Sequence, residues 1–178
     1  MSGAEEPAPE YGNVVTKPDP LDQPAEPLEK IEQLAIEAHL AGHDAESEEA
    51  WSRAHHEYLA RGDVPRAARC AFWLSLNLLH GGDSARGGGW LARAQRLLEE
   101  GGHDCVEQGY LLLPVAIRNA STGSPAPAYE GFSKAVEIGK RFGELDLITF
   151  ARHGQGRALI GMGRIEEGLT LLDETMVS

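Results

Sequence analysis

Glycine returns at near-regular intervals of about twenty residues along most of this chain, at Gly42, Gly62, Gly81-Gly82, Gly101-Gly102, Gly123, Gly143, and Gly161 with Gly163. Between these breakers the apolar residues stand three and four apart, as in Leu28, Ile31, Leu34, Ala35 and Ala38, or Leu91, Ala94, Leu97 and Leu98. That spacing is the stripe of an amphipathic helix, and no alternating, strand-like run interrupts it. From Pro27 onward the breakers leave room for eight helices of roughly 14 to 18 residues. Helix starts are marked as well. Asp63-Val64-Pro65 reads as an N-cap with proline in the first turn, and Asp83-Ser84 and Ser124-Pro125 repeat that chemistry.

Taking alternate glycines as the turns of helical hairpins gives Gly42, Gly82, Gly123 and Gly163, spaced 40, 41 and 40 residues. Other columns then agree. Seven residues before each glycine stand Ala35, Ser75, Ala116 and Gly156; five after stand Ser47, Gly87, Ala128 and Gly168. Nine after stand the bulky Trp51, Leu91, Phe132 and Leu172, and twelve after stand Ala54, Ala94, Ala135 and Thr175. Two antiparallel helices approach closely only where both carry small side chains, and a large residue further along fills the gap to the next hairpin. The pattern predicts an all-α, tetratricopeptide-like right-handed solenoid of about four hairpins, with a period longer than the standard repeat and a plain helical bundle as the alternative.

Residues 1–26 differ in kind. They hold five of the ten prolines and six acids against the single base Lys17, too polar a composition to offset the entropy of ordering, so a disordered acidic tail is expected before a repeat domain over 27–178. The whole chain carries 28 acidic and 16 basic residues, a formal charge of −12. Each phosphate contact needs a Lys or Arg, so this balance disfavours direct binding to nucleic acid or to an anionic membrane. The acidic, proline-bearing amino terminus is unlike a signal peptide, and no apolar run nears the roughly 20 residues that span a bilayer. Two cysteines without a Cys-x-x-Cys fit reduced thiols, and a cytoplasmic location is expected.

Several residues invite a chemical reading. His39 and His43 stand one helical turn apart but lack a third ligand of recognisable spacing, and His55-His56 point about 100° apart, so no metal is expected. In His103-Asp104-Cys105 the bland reading is Asp104 as a helix cap with Cys105 in the first turn, since catalytic groups meet from distant positions rather than as neighbours. The clusters Gly154-Gln-Gly156 and Gly161-Met-Gly163 match no phosphate-loop pattern, and no cofactor is expected. Gly87 fits the close-approach column, whereas Gly88 and Gly89 suggest a late or frayed helix start.

The stretches Pro65-Arg-Ala-Ala-Arg-Cys-Ala-Phe-Trp-Leu74, Gly88-Gly-Trp-Leu-Ala-Arg-Ala-Gln-Arg-Leu97, Asp104 to Pro114, Gly154 to Leu159 and Glu167 to Met176 resemble the repeat region of actinobacterial LuxR-type transcriptional regulators. The resemblance covers roughly residues 28 to 178 and rests on framework positions. It implies a sensory or protein-interaction array, followed in longer relatives by further repeats and often a helix-turn-helix. Nothing in this chain reads as a basic recognition helix.

In tetratricopeptide arrays the first helix of each hairpin lines a concave groove, at positions 13, 10, 9 and 6 residues before the turn glycine. These are Arg69, Phe72, Trp73 and Leu76 in the second hairpin, Tyr110, Leu113, Pro114 and Ile117 in the third, and Phe150, His153, Gly154 and Arg157 in the fourth. The first hairpin offers the more polar Glu29, Glu32, Gln33 and Ile36. Phe72, Trp73 and Leu113 fit inter-repeat core as well as recognition. Aromatic and arginine residues interleaved on a concave face suit a peptide or small ligand, with Arg69 or Arg157 meeting a carboxylate. Pro114 should kink its helix and free the carbonyl of Tyr110.

The expected function is therefore a non-enzymatic repeat module that recognises a protein segment or small ligand within a regulatory system. The alternative is a structural fragment that only dimerises or docks on a separately encoded partner. The last helix favours association, because Leu169, Leu171, Leu172, Met176 and Val177 exceed what one neighbouring helix covers, so a homodimer through the C-terminal hairpin is expected.

Overall fold

A computed structural model describes residues 27–176; the acidic tail expected over 1–26, and Val177 of the expected interface, lie outside the described residues. Among the described residues the chain forms eight α-helices and no strand: α1 (Leu28–Leu40), α2 (Asp44–Ala60), α3 (Val64–His80), α4 (Ser84–Glu100), α5 (Glu107–Ser121), α6 (Pro125–Phe142), α7 (Leu145–Gly161) and α8 (Ile165–Met176). They pair as four antiparallel hairpins, α1–α2, α3–α4, α5–α6 and α7–α8, stacked in a tetratricopeptide-like array.

Unlike Gly81, Gly101 and Gly161, seven of the breaker glycines, Gly42, Gly62, Gly82, Gly102, Gly123, Gly143 and Gly163, adopt positive φ, from +60° at Gly102 to +85° at Gly82. Each sits just past a helix end, where the next residue's N–H reaches back five residues to a helix carbonyl, as Asp83 does to Leu78 at 2.9 Å. This left-handed closure satisfies the free carbonyls of a helix terminus and turns the chain at once. Six connections of two or three residues leave consecutive helices no choice but antiparallel contact. Caps support the starts: the Asp63 carboxylate accepts from the Arg66 N–H and that of Asp83 from the Arg86 N–H, each at 3.1 Å. Ser124 precedes Pro125 at the start of α6 as expected, but its side chain makes no cap bond.

The small-residue columns are the hairpin crossings. Ser47 Oγ donates to the Ala35 carbonyl and Ser75 Oγ to the Gly87 carbonyl, both at 2.8 Å and fully buried. In the last hairpin the crossing is tighter still: a Cβ on Gly168 would lie 2.6 Å from the Gly156 carbonyl oxygen. Ala54, Ala94 and Ala135 are completely buried in the closing column. Ala94→Leu or Ala135→Leu should therefore overpack a helix contact and cost about 1 to 3 kcal/mol, whereas exposed Glu99→Leu should change stability by less than about 0.5 kcal/mol. Urea midpoints of the three variants check this, and equal effects would contradict the repeat register.

One junction departs from the repeat. The α4–α5 connection runs through residues 101–106, and α4 touches α5 sparsely while α5 packs on α3 instead. The core divides not at this junction but across α3, whose Cys70 and Leu74 join a cluster around Leu28, Trp51 and Tyr58, while its Phe72 and Leu76 join a second around Leu113, Phe132 and Leu147. Trp73 and Trp90 pack against both. Gly88 does not mark a late helix start, because α4 begins at Ser84; its bare Cα borders the cleft at this junction. Nothing in the structure explains Gly89.

Candidate binding groove

Three neighbouring pockets, of about 420, 300 and 200 Å³, run along the inner face formed by α1, α3, α5 and α7. They are continuous: His80 lines all three, Leu76 joins the second to the third, and Ile117 and Ser121 join the first to the second. The column six residues before each turn glycine, Ile36, Leu76, Ile117 and Arg157, lies along this trough. Trp73, Pro114, Gly154, Phe150 and His153 complete its expected members. Gly154 is required where it stands, because a Cβ there would lie 2.5 Å from the Phe132 ring that forms the floor.

Four expected groove residues do something else. Phe72 and Leu113 are each 1% exposed and Tyr110 is buried, so these belong to the core. The reason is geometric: α5 lies over the relevant face of α3, and α7 over that of α5. Among the described residues no helix so covers α7, and the equivalent Phe150 and His153 stay open. Arg69 does not face a ligand. Its guanidinium lies 3.1 Å from Glu107 and 3.9 Å from Glu144, over the Tyr110 ring, and the Tyr110 hydroxyl donates to Glu144 at 2.8 Å. Burial and that hydrogen bond hold the Tyr110 phenol well above its usual range. The carboxylates expected of a ligand are supplied here by α5 and by the residue preceding α7, and the cluster ties three hairpins together.

Sequence reasoning missed Leu40, His80 and Ser121, which all line the trough. They occupy one column, two residues before the turn glycine, so the repeat register held the signal. The groove sits nearer the C-terminal ends of the odd helices than the general pattern places it.

Asp104 does not cap a helix: α5 begins at Glu107 with Val106 before it, and Asp104 pairs with Arg141. The half-buried Cys105 thiol is pushed up to about 11, by burial first and then by the hydrogen bond and charge of Glu107. A thiol in that state is a poor nucleophile. Among the described residues no three or more His, Cys, Asp or Glu side chains group as metal ligands, and no helix is long and apolar enough to cross a membrane.

His55 is wholly buried, donating from Nδ1 to the Ala67 carbonyl at 2.8 Å, edge-on to Trp90. Burial, with smaller contributions from Arg93 and His56, lowers its pKa below the ordinary 6.5. The unfolded chain therefore takes up this proton first, so the stability tied to neutral His55 is present above pH 6.5 and is lost as pH falls below it. Urea midpoints should drop between pH 7.5 and 5.5. The drop should shrink in His55→Asn, whose amide keeps the bond to Ala67.

No protein-family model matches the chain, and comparison with curated proteins finds no match.

On α8, Leu172 is half-buried against Gly156 and Leu171 is half-buried as well, so neither is the free surface expected. Leu169 and Met176 are exposed at 50% and 85%, joined by Ile165 at 55%.

Proposed function

We propose that this chain is a non-enzymatic repeat module that recognises a protein segment through the inner face of its hairpins. The continuous groove from Ile36 to Arg157 carries this reading. It spans several helices rather than closing around one small molecule, and its walls alternate apolar side chains with arginine, histidine and serine, the mixture that peptide-binding surfaces use. The resemblance to LuxR-type regulators suggests a transcription-regulatory setting in the cytoplasm, with another polypeptide making any contact to DNA. The test is selection from a random dodecapeptide display library on the full chain, with Ile117→Asp and Phe150→Asp as counter-selections. Enriched peptides should lose binding to both variants, and peptides that bind all three alike would refute the groove.

A second reading rests on α8, where Ile165, Leu169 and Met176 form an exposed apolar strip that suits self-association. Light scattering should find a dimer at high micromolar concentration, and Leu169→Glu with Met176→Glu should yield a monomer of unchanged helicity. A monomeric unmodified chain would remove this reading.

A further inference from the structure

We infer that the groove takes an acidic segment of a partner protein, anchored by apolar side chains; this rests on the groove being the recognition surface. The first observation is a charge partition. In a chain with 28 acidic residues and a net charge of −12, none of the residues lining the three pockets is acidic. Their charged or titratable members are arginine and histidine throughout, among them His80, Arg118, His153 and Arg157.

The second observation concerns which cations are free. Arg66, Arg69, Arg86, Arg141, Arg152 and Arg164 each pair with a carboxylate of the chain itself. Among the described residues Arg61, Arg93, Arg96, Arg118 and Arg157 make no ion pair with the chain's own carboxylates, and of these Arg118 and Arg157 are the two that line the groove. Arginine left unpaired in an acid-rich protein, at the wall of an apolar groove, is poised for a bidentate bond with an incoming carboxylate.

Position adds a pattern. Arg118 lines one pocket and Arg157 the next, and Ile117 lines both, so the two cations flank an apolar step. Neighbouring helices of an array lie about 8 to 10 Å apart, so four inner helices span roughly 30 Å, the length of about nine extended residues. A segment with acids on either side of an apolar residue matches this order. The overall charge of −12 opposes such a ligand, but at physiological salt it is screened beyond about 8 Å, whereas contacts inside the groove are not. Net charge alone would favour a basic peptide, so a preference for acid has to come from the groove.

The experiment uses the full chain and two fluorescein-labelled dodecapeptides with identical leucine anchors, one with glutamate between them and one with lysine at those positions. Anisotropy at 0.15 M salt should show the glutamate peptide binding at least about ten-fold tighter, and Arg118→Gln with Arg157→Gln should erase that preference while leaving helicity unchanged. Equal affinities, or a preference for lysine, with binding abolished by Ile117→Asp, would overturn the acidic class and leave the groove standing. Glutamate-peptide binding unaffected by Ile117→Asp would place the site elsewhere and overturn both. Failure of the glutamate peptide to bind would overturn the inference.

Discussion

Arg69→Ala should lower stability by about 3 kcal/mol, a large loss for a side chain that sequence places at a ligand's edge. The change removes the cation from Glu107, which is 5% exposed, and leaves its carboxylate buried and unpaired. Removing one partner of a buried pair costs about 3 to 5 kcal/mol, and the partial exposure of Arg69 points to the low end. Replacing both partners by apolar residues of similar size, Arg69→Met with Glu107→Leu, should recover most of the loss, because the desolvation of two charges disappears with them. Urea unfolding followed by circular dichroism measures both. If Arg69→Ala alone stays within about 0.5 kcal/mol of the parent chain, the cluster does not hold the hairpins together.

Phe72→Ala should cost about 3 to 5 kcal/mol, the range for an aromatic ring removed from a packed interior. Its neighbour in sequence, Trp73, packs against both core clusters but is only half-buried and lines the groove, so Trp73→Ala should weaken peptide binding as well as stability. Of two adjacent aromatics, one is framework only and the other is framework and groove wall at once. Calorimetry with peptide titration distinguishes them, and a Phe72→Ala chain of parental stability would mean the ring is not core.

The repeat was legible because its physics is local. A left-handed turn all but demands glycine, and a helix crossing demands small residues, so both leave marks at fixed spacing. Ser47, Ser75, Ala128 and Gly168 could be placed at crossings from the register alone. The groove was half legible. Ile36, Leu76, Ile117 and Arg157 follow the general tetratricopeptide positions, but whether Phe72 or Leu113 faces a ligand depends on whether the next hairpin covers it, which is a tertiary fact. The Arg69 cluster was hidden for the same reason: Arg69, Glu107 and Glu144 lie 38 and 37 residues apart, and only the stacking of hairpins brings them together.

The proposed function requires that the inner face of the odd helices be where a partner segment binds. The most direct measurement is amide and side-chain chemical-shift mapping by NMR on the full chain, titrated with a peptide enriched by display. Perturbations should concentrate at Trp73, Leu76, His80, Ile117, Phe150 and Arg157, with the outer faces of α2, α4 and α6 unchanged. Perturbations confined to α8 around Leu169 and Met176, with the inner-face signals still, would contradict it.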